Sequence, residues 1–213
     1  MSHYFDPAPT SPSRPGRVLL QLPGSEVELA VDRGVFSATG VDPGTLELLR
    51  AGLGRPGAGP ASDRPLLDLG CGYGPIAVTL ARRYPNATVW AVDVNARALE
   101  LAAANARALG LEARIRPARP DEVPGDLCFD GIWSNPPIRI GKEALHDLLL
   151  AWLPRLRPGA AAWMVVQRHL GADSLSRWLV GEGWPVRRLG SKKGYRLLQV
   201  GPAGEPEPGA SRR

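Results

Sequence analysis

Val18, Leu20 and Leu22, then Val27, Leu29 and Val31, alternate with other residues on either side of Pro23-Gly24. That spacing predicts two half-buried strands joined by a tight turn. GVFS (34–37) reads as a further short strand, and VDPGTLELLRAGL as a helix capped at Asp42 or Thr45. GRPGAGPASDRP (54–65) is rich in Gly and Pro and reads as a linker between an N-terminal segment, 1–53, and a main domain, 66–200. In the main domain short apolar runs alternate with helical periodicity. Strands are predicted at Leu66–Leu69, Ala87–Val92, Ala113–Arg116, Phe129–Ser134 and Ala160–Val166. Two more are predicted near 184–189 and 195–200, joined by GSKKG. Helices are predicted at Pro75–Tyr84, with Pro suited to the first position, and at 96–109, capped by Asn95 and stopped by Gly110. Two further helices are predicted, at 142–156 and at 173–182 with Asp173 as its cap. Strands alternating with helices imply a mostly parallel sheet covered on both faces. GPAGEPEPGASRR (201–213) reads as a disordered tail.

Composition narrows the class of protein. A chain of 213 residues that is 44% hydrophobic is sufficient for one α/β domain with a full core. Its two cysteines, Cys71 and Cys128, cannot form a disulfide framework, and no Cys/His spacing suits zinc, so no metal and a reducing, cytoplasmic compartment are expected. The N-terminus lacks the apolar core of a signal peptide, and no apolar run is long enough to span a membrane. A monomer is the default expectation. The net charge of +5 suits an acidic partner such as RNA. Only three of the 26 basic residues are lysines, though, and an arginine bias of that kind also follows from a GC-rich genome.

The chemistry begins at LLDLGCGYGPIAVTLA (66–81), an apolar strand, a glycine loop and a helix. Glycines let the chain turn sharply and let a ligand lie against bare backbone, beside the N–H groups of a helix terminus. Pro75 occupies the third glycine position of a dinucleotide fingerprint counted from Gly70, and the glycines instead run G-x-G-x-G behind Asp68. An acid in that place repels a pyrophosphate and favours an ammonium group. The next strand ends in Asp93, where a carboxylate can accept both hydroxyls of a ribose. An ammonium group at one end and a ribose further on describe S-adenosylmethionine. The second motif, SNPPI (134–138), closes the strand Phe129–Ser134. Proline cannot continue a central ladder, and the first proline holds Asn135 extended. A stiff turn with uncommitted carbonyl oxygens should therefore stand at the carboxyl end of a strand, where ligands sit in open α/β sheets.

DLGCGYG, DVN and SNPPI stand in the order found in class I methyltransferases that modify amino nitrogens. HYF (3–5), GVFSATGVDPGTLELL (34–49), SNPPIRIGK (134–142) and KGYRLLQV (193–200) resemble the small-domain methyltransferase family of the ribosomal RNA guanine-N2 type. The resemblance implies a Rossmann-like fold with a seven-stranded, mostly parallel sheet of order 3-2-1-4-5-7-6. The last strand is antiparallel and an N-terminal β-hairpin is added. It implies cofactor contacts at Asp68, Gly70, Gly72 and Asp93, flanked by Cys71, Gly74 and Val94. Asp121 is expected beside the adenine, and Phe36 and Thr45 over the methionine end, where a core aromatic and a helix cap are the plainer readings.

For such an enzyme the second motif, Asn135, Pro136, Pro137 and Ile138, is the catalytic element. The Asn135 side-chain oxygen and the Pro136 carbonyl would hold the hydrogens of an exocyclic amine and direct its lone pair at the methyl group. Many relatives carry an aromatic residue after NPP to stack on the target base, whereas this chain has Ile138. Ribosomal RNA would be bound by Arg139, Lys142, Arg168, Lys192 and Lys193. Transfer to a protein glutamine, transfer to a small molecule, and a non-catalytic cofactor-binding module are the alternatives. The three histidines, His3, His146 and His169, read as surface or packing residues rather than bases.

Overall fold

The structure, a computed structural model, describes residues 12–52 and 64–201. HYF, nearly all of the expected linker, and the expected tail beyond Gly201 lie outside the described residues. The chain begins with the hairpin β1 (Gly16–Leu22) and β2 (Ser25–Val31), turned at Pro23-Gly24, and helix α1 (Pro43–Gly52) follows. The main sheet then takes β3 (Leu66–Leu69), β4 (Val89–Val92), β5 (Ile115–Ala118), β6 (Phe129–Ser134), β7 (Leu156–Gln167), β8 (Val186–Lys192) and β9 (Tyr195–Val200). Helices α2 (Pro75–Arg83), α3 (Ala96–Ala108), α4 (Lys142–Trp152) and α5 (Ala172–Gly181) provide the connections. The sheet order is β5-β4-β3-β6-β7-β9-β8, parallel except for β9, which runs against both its neighbours. Counted within the sheet, this is the expected 3-2-1-4-5-7-6 order.

Alternation along the strands divides the core in two. Leu66, Trp133 and Trp163 pack with α2, α3 and the hairpin, and Leu67, Leu69, Ile132 and Met164 with α4 and α5. Trp133 and Trp163 stack with ring centres 4.6 Å apart on the first of these faces. The hairpin is joined to this face by a buried asparagine. Asn105 Oδ1 accepts the Ala30 N–H at 2.7 Å, and its Nδ2 donates to the Ala30 carbonyl at 3.0 Å and the Tyr73 carbonyl at 2.9 Å. One side chain thus extends the β2 edge and grips the glycine loop.

Several predicted elements differ from the structure. GVFS forms turns, not a strand, because Gly34 and Ser37 take φ values of +88° and +60°, which no strand accommodates. The strand expected at Ala113–Arg116 lies two residues later and carries Pro117, which is tolerated because β5 is the sheet edge. Helix α4 stops at Trp152, as Pro154 cannot donate to the helix ladder. Helix α5 is capped by Gly171 in a left-handed conformation, and Asp173 instead pairs with Arg196 at 2.8 Å. At α1 the cap is Asp42, whose Oδ1 accepts the Thr45 N–H at 3.0 Å.

Candidate active site

The carboxyl ends of β3, β4, β6 and β7 open into a cavity of about 370 Å³, with a smaller recess of about 30 Å³ beside it. The glycine loop forms one wall. Gly70 and Gly72 have φ of +76° and +55°, and both line the cavity. A side chain at either would be strained, so bare backbone is what the cavity meets. Gly70 and Cys71 donate their N–H groups to the Val92 carbonyl, tying the loop to β4. Gly74 turns the chain into α2 against Ala102 and lines neither space. Cys71 and Thr45 line the recess. The Cys71 thiol is buried, and burial, followed by the charges of Asp93 and Asp68, pushes it well above its ordinary range; it is no nucleophile.

Asp93 stands at the end of β4 on the cavity wall, followed by Val94. Its oxygens accept N–H groups from Gly72 at 2.9 Å and Asn95 at 3.0 Å. Burial raises its pKa, and the hydrogen bonds from Asn95, Gly72 and Val94 only partly oppose this. With three N–H donors on about four lone-pair sites, the carboxylate keeps acceptor capacity for a further donor.

Asp68 and Asp121 depart from expectation. Asp68 shares the face of β3 with Leu66, so alternation directs it beneath α2, where it is fully buried and off the cavity wall. One oxygen accepts the Ala77 N–H at 2.9 Å, and Oδ1 has no hydrogen-bond partner among the described residues. Burial pushes this carboxyl well up. Asp68 therefore braces the start of α2 and stands behind the cavity wall rather than on it. Asp121 extends outward, its side chain 80% exposed and 3.6 Å from Arg119, and the neighbouring Pro120 lines the cavity instead.

Asn135, Pro136, Pro137 and Ile138 form the opposite wall with Arg139. The Pro136 carbonyl accepts the Ile138 N–H at 2.8 Å and that of Pro137 accepts the Ile140 N–H at 3.1 Å, so neither is uncommitted as expected, and each retains one lone pair. Asn135 Nδ2 donates to Asp42 Oδ1 at 2.9 Å and to Thr45 Oγ1 at 3.0 Å. A carboxylate only accepts, so the amide must turn its NH₂ toward Asp42 and leave Oδ1 as the free acceptor. Tyr195, from β9, donates to Asp42 Oδ2 at 3.4 Å and accepts from Gln167 Nε2 at 3.1 Å. Asp42, Gln167 and Tyr195 all line the cavity. The sequence marks Asp42 only as a helix cap, and nothing in its pattern assigns Gln167 or Tyr195 to the site, although Tyr195 lies within KGYRLLQV.

Phe36 lies on the cavity wall and is 42% exposed. Among the basic residues, Arg139 lines the cavity, and Lys142 is exposed at the start of α4. Arg168 follows β7 and donates its N–H to the Gly194 carbonyl at 2.8 Å, beside Lys193 at φ +50°. Lys192 ends β8, where it pairs with the buried Glu47 at 3.2 Å. The described residues contain no cluster of three or more His, Cys, Asp or Glu able to hold a metal, and no helix long and apolar enough to cross a membrane.

The sheet order, the glycine loop after β3 and the acid after β4 together define a class I methyltransferase. The chain belongs to the methyltransferase small domain family, matched over residues 26–199. It is 31% identical over 201 residues to "Uncharacterized protein YbxB" of Bacillus subtilis (strain 168), covering 93% of this chain and 97% of that one. It is 33% identical over 177 residues to ribosomal RNA small subunit methyltransferase C of Hahella chejuensis, covering 78% of this chain and 47% of the relative. Among solved structures it resembles the T. thermophilus 16S rRNA N2 G1207 methyltransferase (RsmC) in complex with AdoMet and guanosine. The TM-score there is 0.76 at 27% identity, over 90% of this chain and 52% of that one. The chain thus spans about half the length of its RsmC relatives.

Proposed function

We propose that this chain transfers a methyl group from S-adenosylmethionine to an exocyclic amino nitrogen, and that the acceptor is guanine N2 in ribosomal RNA. The observation that carries the reading is the Asn135 amide, whose NH₂ is committed to Asp42 and Thr45 while its oxygen has no hydrogen-bond partner among the described residues. The residues fit the cofactor: the cavity has the size of a small-molecule site, bare backbone at Gly70 and Gly72, and a carboxylate at Asp93 for ribose hydroxyls. Bound there, the cofactor supplies a methyl group on a sulfonium, a ready leaving group.

The chain's own part is positioning. Asn135 Oδ1 and the remaining lone pair of the Pro136 carbonyl accept the two amine hydrogens and turn the nitrogen lone pair toward the methyl. With the cofactor bound, transfer would leave its sulfur as a neutral thioether, and the methylated nitrogen would give its extra proton to solvent. Positive charge grows on nitrogen along this path, so both hydrogen bonds strengthen as the transition state is reached. No general base is needed. Phe36 offers the aromatic face that Ile138 lacks, and stacking on such a face contributes about 1–3 kcal/mol per base. Arg139, Lys142, Arg168, Lys192 and Lys193 flank the same strand ends and suit a phosphate backbone. Cytoplasmic action follows from the substrate.

The test is transfer of tritiated methyl to total RNA and to total protein, together with a modification map of ribosomal RNA from a deletion strain and its parent. Label in RNA and loss of one N2-methylguanosine are expected. Label in protein alone, or an unchanged map, overturns the reading.

A further inference from the structure

An amide side chain is useful as an acceptor only if its oxygen, and not its nitrogen, faces the amine. Thr45 cannot enforce this, because a hydroxyl donates or accepts equally well. Tyr195 bonds to Asp42 and Gln167 to Tyr195, neither of them to the amide. Among the described residues, Asp42 is the one group bonded to Asn135 Nδ2 that can do nothing but accept. It is itself held by the Thr45 N–H and by the Tyr195 hydroxyl, which in turn accepts from Gln167. Its position is sterically reserved too. A Cβ at Gly44 would lie 2.9 Å from Asp42 Oδ1 and 2.5 Å from the Tyr195 ring.

We propose that Asp42 is the positioning residue of the transfer: its carboxylate fixes the Asn135 amide with its oxygen toward the substrate amine, and its charge polarises that amide as the nitrogen becomes positive. An N–H donated to an anion draws electron density onto the amide oxygen, which makes it a better acceptor. This rests on the amine-methylation reading, and the Asp42–Asn135 contact links residues 93 apart in the chain.

Two experiments on the full chain test it, and one does not depend on the substrate. The chain has four asparagines, Asn86, Asn95, Asn105 and Asn135, so selective ¹⁵N-asparagine labelling resolves each side-chain amide. The Asn135 pair should exchange slowly with solvent. Asp42→Ser keeps a helix-capping oxygen but is too short to reach Asn135. It should speed that exchange by about tenfold or more, the gain expected when a charge-assisted bond is lost. The Asn95 and Asn105 pairs should not change. Equal exchange in both proteins overturns the proposal.

The second experiment swaps donor and acceptor. Asn135→Asp sets two carboxylates against each other and should lower the single-turnover rate by about 10²–10³-fold. Adding Asp42→Asn lets the amide at 42 donate to the new carboxylate, whose other oxygen again faces the amine. That pair should recover about tenfold or more of the rate, read at saturating cofactor with its affinity measured for each variant by calorimetry. A double variant no faster than Asn135→Asp overturns the proposal. A wild-type chain that methylates no RNA overturns the functional reading instead, and the exchange measurement then decides the role of Asp42 alone.

Discussion

Gly44 and Tyr195, from the first turn of α1 and the first residue of β9, approach so closely that a methyl group cannot be placed between them. A Cβ on Gly44 would come within 2.5 and 2.7 Å of the tyrosine ring. That approach brings the Tyr195 hydroxyl to Asp42 and Gln167, and so joins the N-terminal helix to the end of the main sheet. Gly44→Ala should displace the ring, cost about 1–3 kcal/mol in stability as overpacking does, and slow methyl transfer with little change in cofactor affinity. Urea unfolding and single-turnover assays read the two effects separately. A variant with wild-type rate would show that the tyrosine does not act through Asp42.

This contact also shows where the sequence stops being informative. β6 was legible to its end residues because a buried central strand is a continuous apolar run closed by Asn135 and two prolines. The sheet order followed from the resemblance, and the glycine loop and Asp93 from local pattern. The place of Asp68 was not legible, because an acid before glycines looks the same whether it faces a cavity or the underside of a helix; the structure sets it beneath α2. GVFS looked like a strand because Val35 and Phe36 are apolar, yet the positive φ angles at Gly34 and Ser37 leave Val35 buried and Phe36 on the cavity wall. The Asp42–Asn135–Tyr195 set was invisible because its members lie on three distant elements, and Asp42 already had a sufficient local explanation as a helix cap.

Asn135→Ala removes the free amide oxygen from the cavity. Losing one acceptor that strengthens in the transition state should cost about 3–4 kcal/mol, or about 10²–10³ in rate. The glycine loop and Asp93 are untouched, so cofactor affinity should stay within about twofold, since groups without a shared contact act independently. Calorimetry with S-adenosylmethionine followed by a turnover assay separates these effects, and near-full turnover would reduce the amide to a structural strand terminator.

Asn105→Ala strips one hydrogen bond from the Ala30 N–H and one each from the Ala30 and Tyr73 carbonyls. A buried group left unpaired costs about 1–3 kcal/mol, so a stability loss of about 3 kcal/mol is expected in urea unfolding, with the hairpin loosened first. Asn105→Asp should be worse at neutral pH, because a carboxylate would face two carbonyl oxygens. It should partly recover in acid, where the protonated carboxyl again donates one hydrogen bond. Equal stability of wild type and Asn105→Ala would mean the hairpin docks through its apolar face alone.

Asp93 gives the cofactor site a pH dependence of defined sign. Its folded pKa is raised above the ordinary 3.8, burial being the largest cause and the N–H bonds from Asn95, Gly72 and Val94 opposing it. The folded chain therefore holds this proton at pH values where the unfolded chain has released it. The associated stability is complete below 3.8 and is lost as pH rises through the folded value. Binding runs the other way. Ribose hydroxyls need an acceptor, and a protonated carboxyl presents a donor in place of one of its acceptors. Affinity for S-adenosylmethionine should thus be full at neutral pH and fall as pH drops through the raised pKa, with a midpoint above 3.8. Asp32 shifts in the opposite direction. Burial works against ionisation there too, but bonds from Ser13, Arg14 and Arg33 and the charge of Arg97 outweigh it, so its stabilisation holds above 3.8 and is lost only as pH falls through a still lower value. Neither of these two groups thus withdraws stability over the range in which binding is expected to fall. Asp93→Asn should weaken binding at neutral pH and flatten its acid dependence. Calorimetry at descending pH, with circular dichroism on the same samples, checks this; binding that persists unchanged to below 3.8 would place the ribose on some other acceptor.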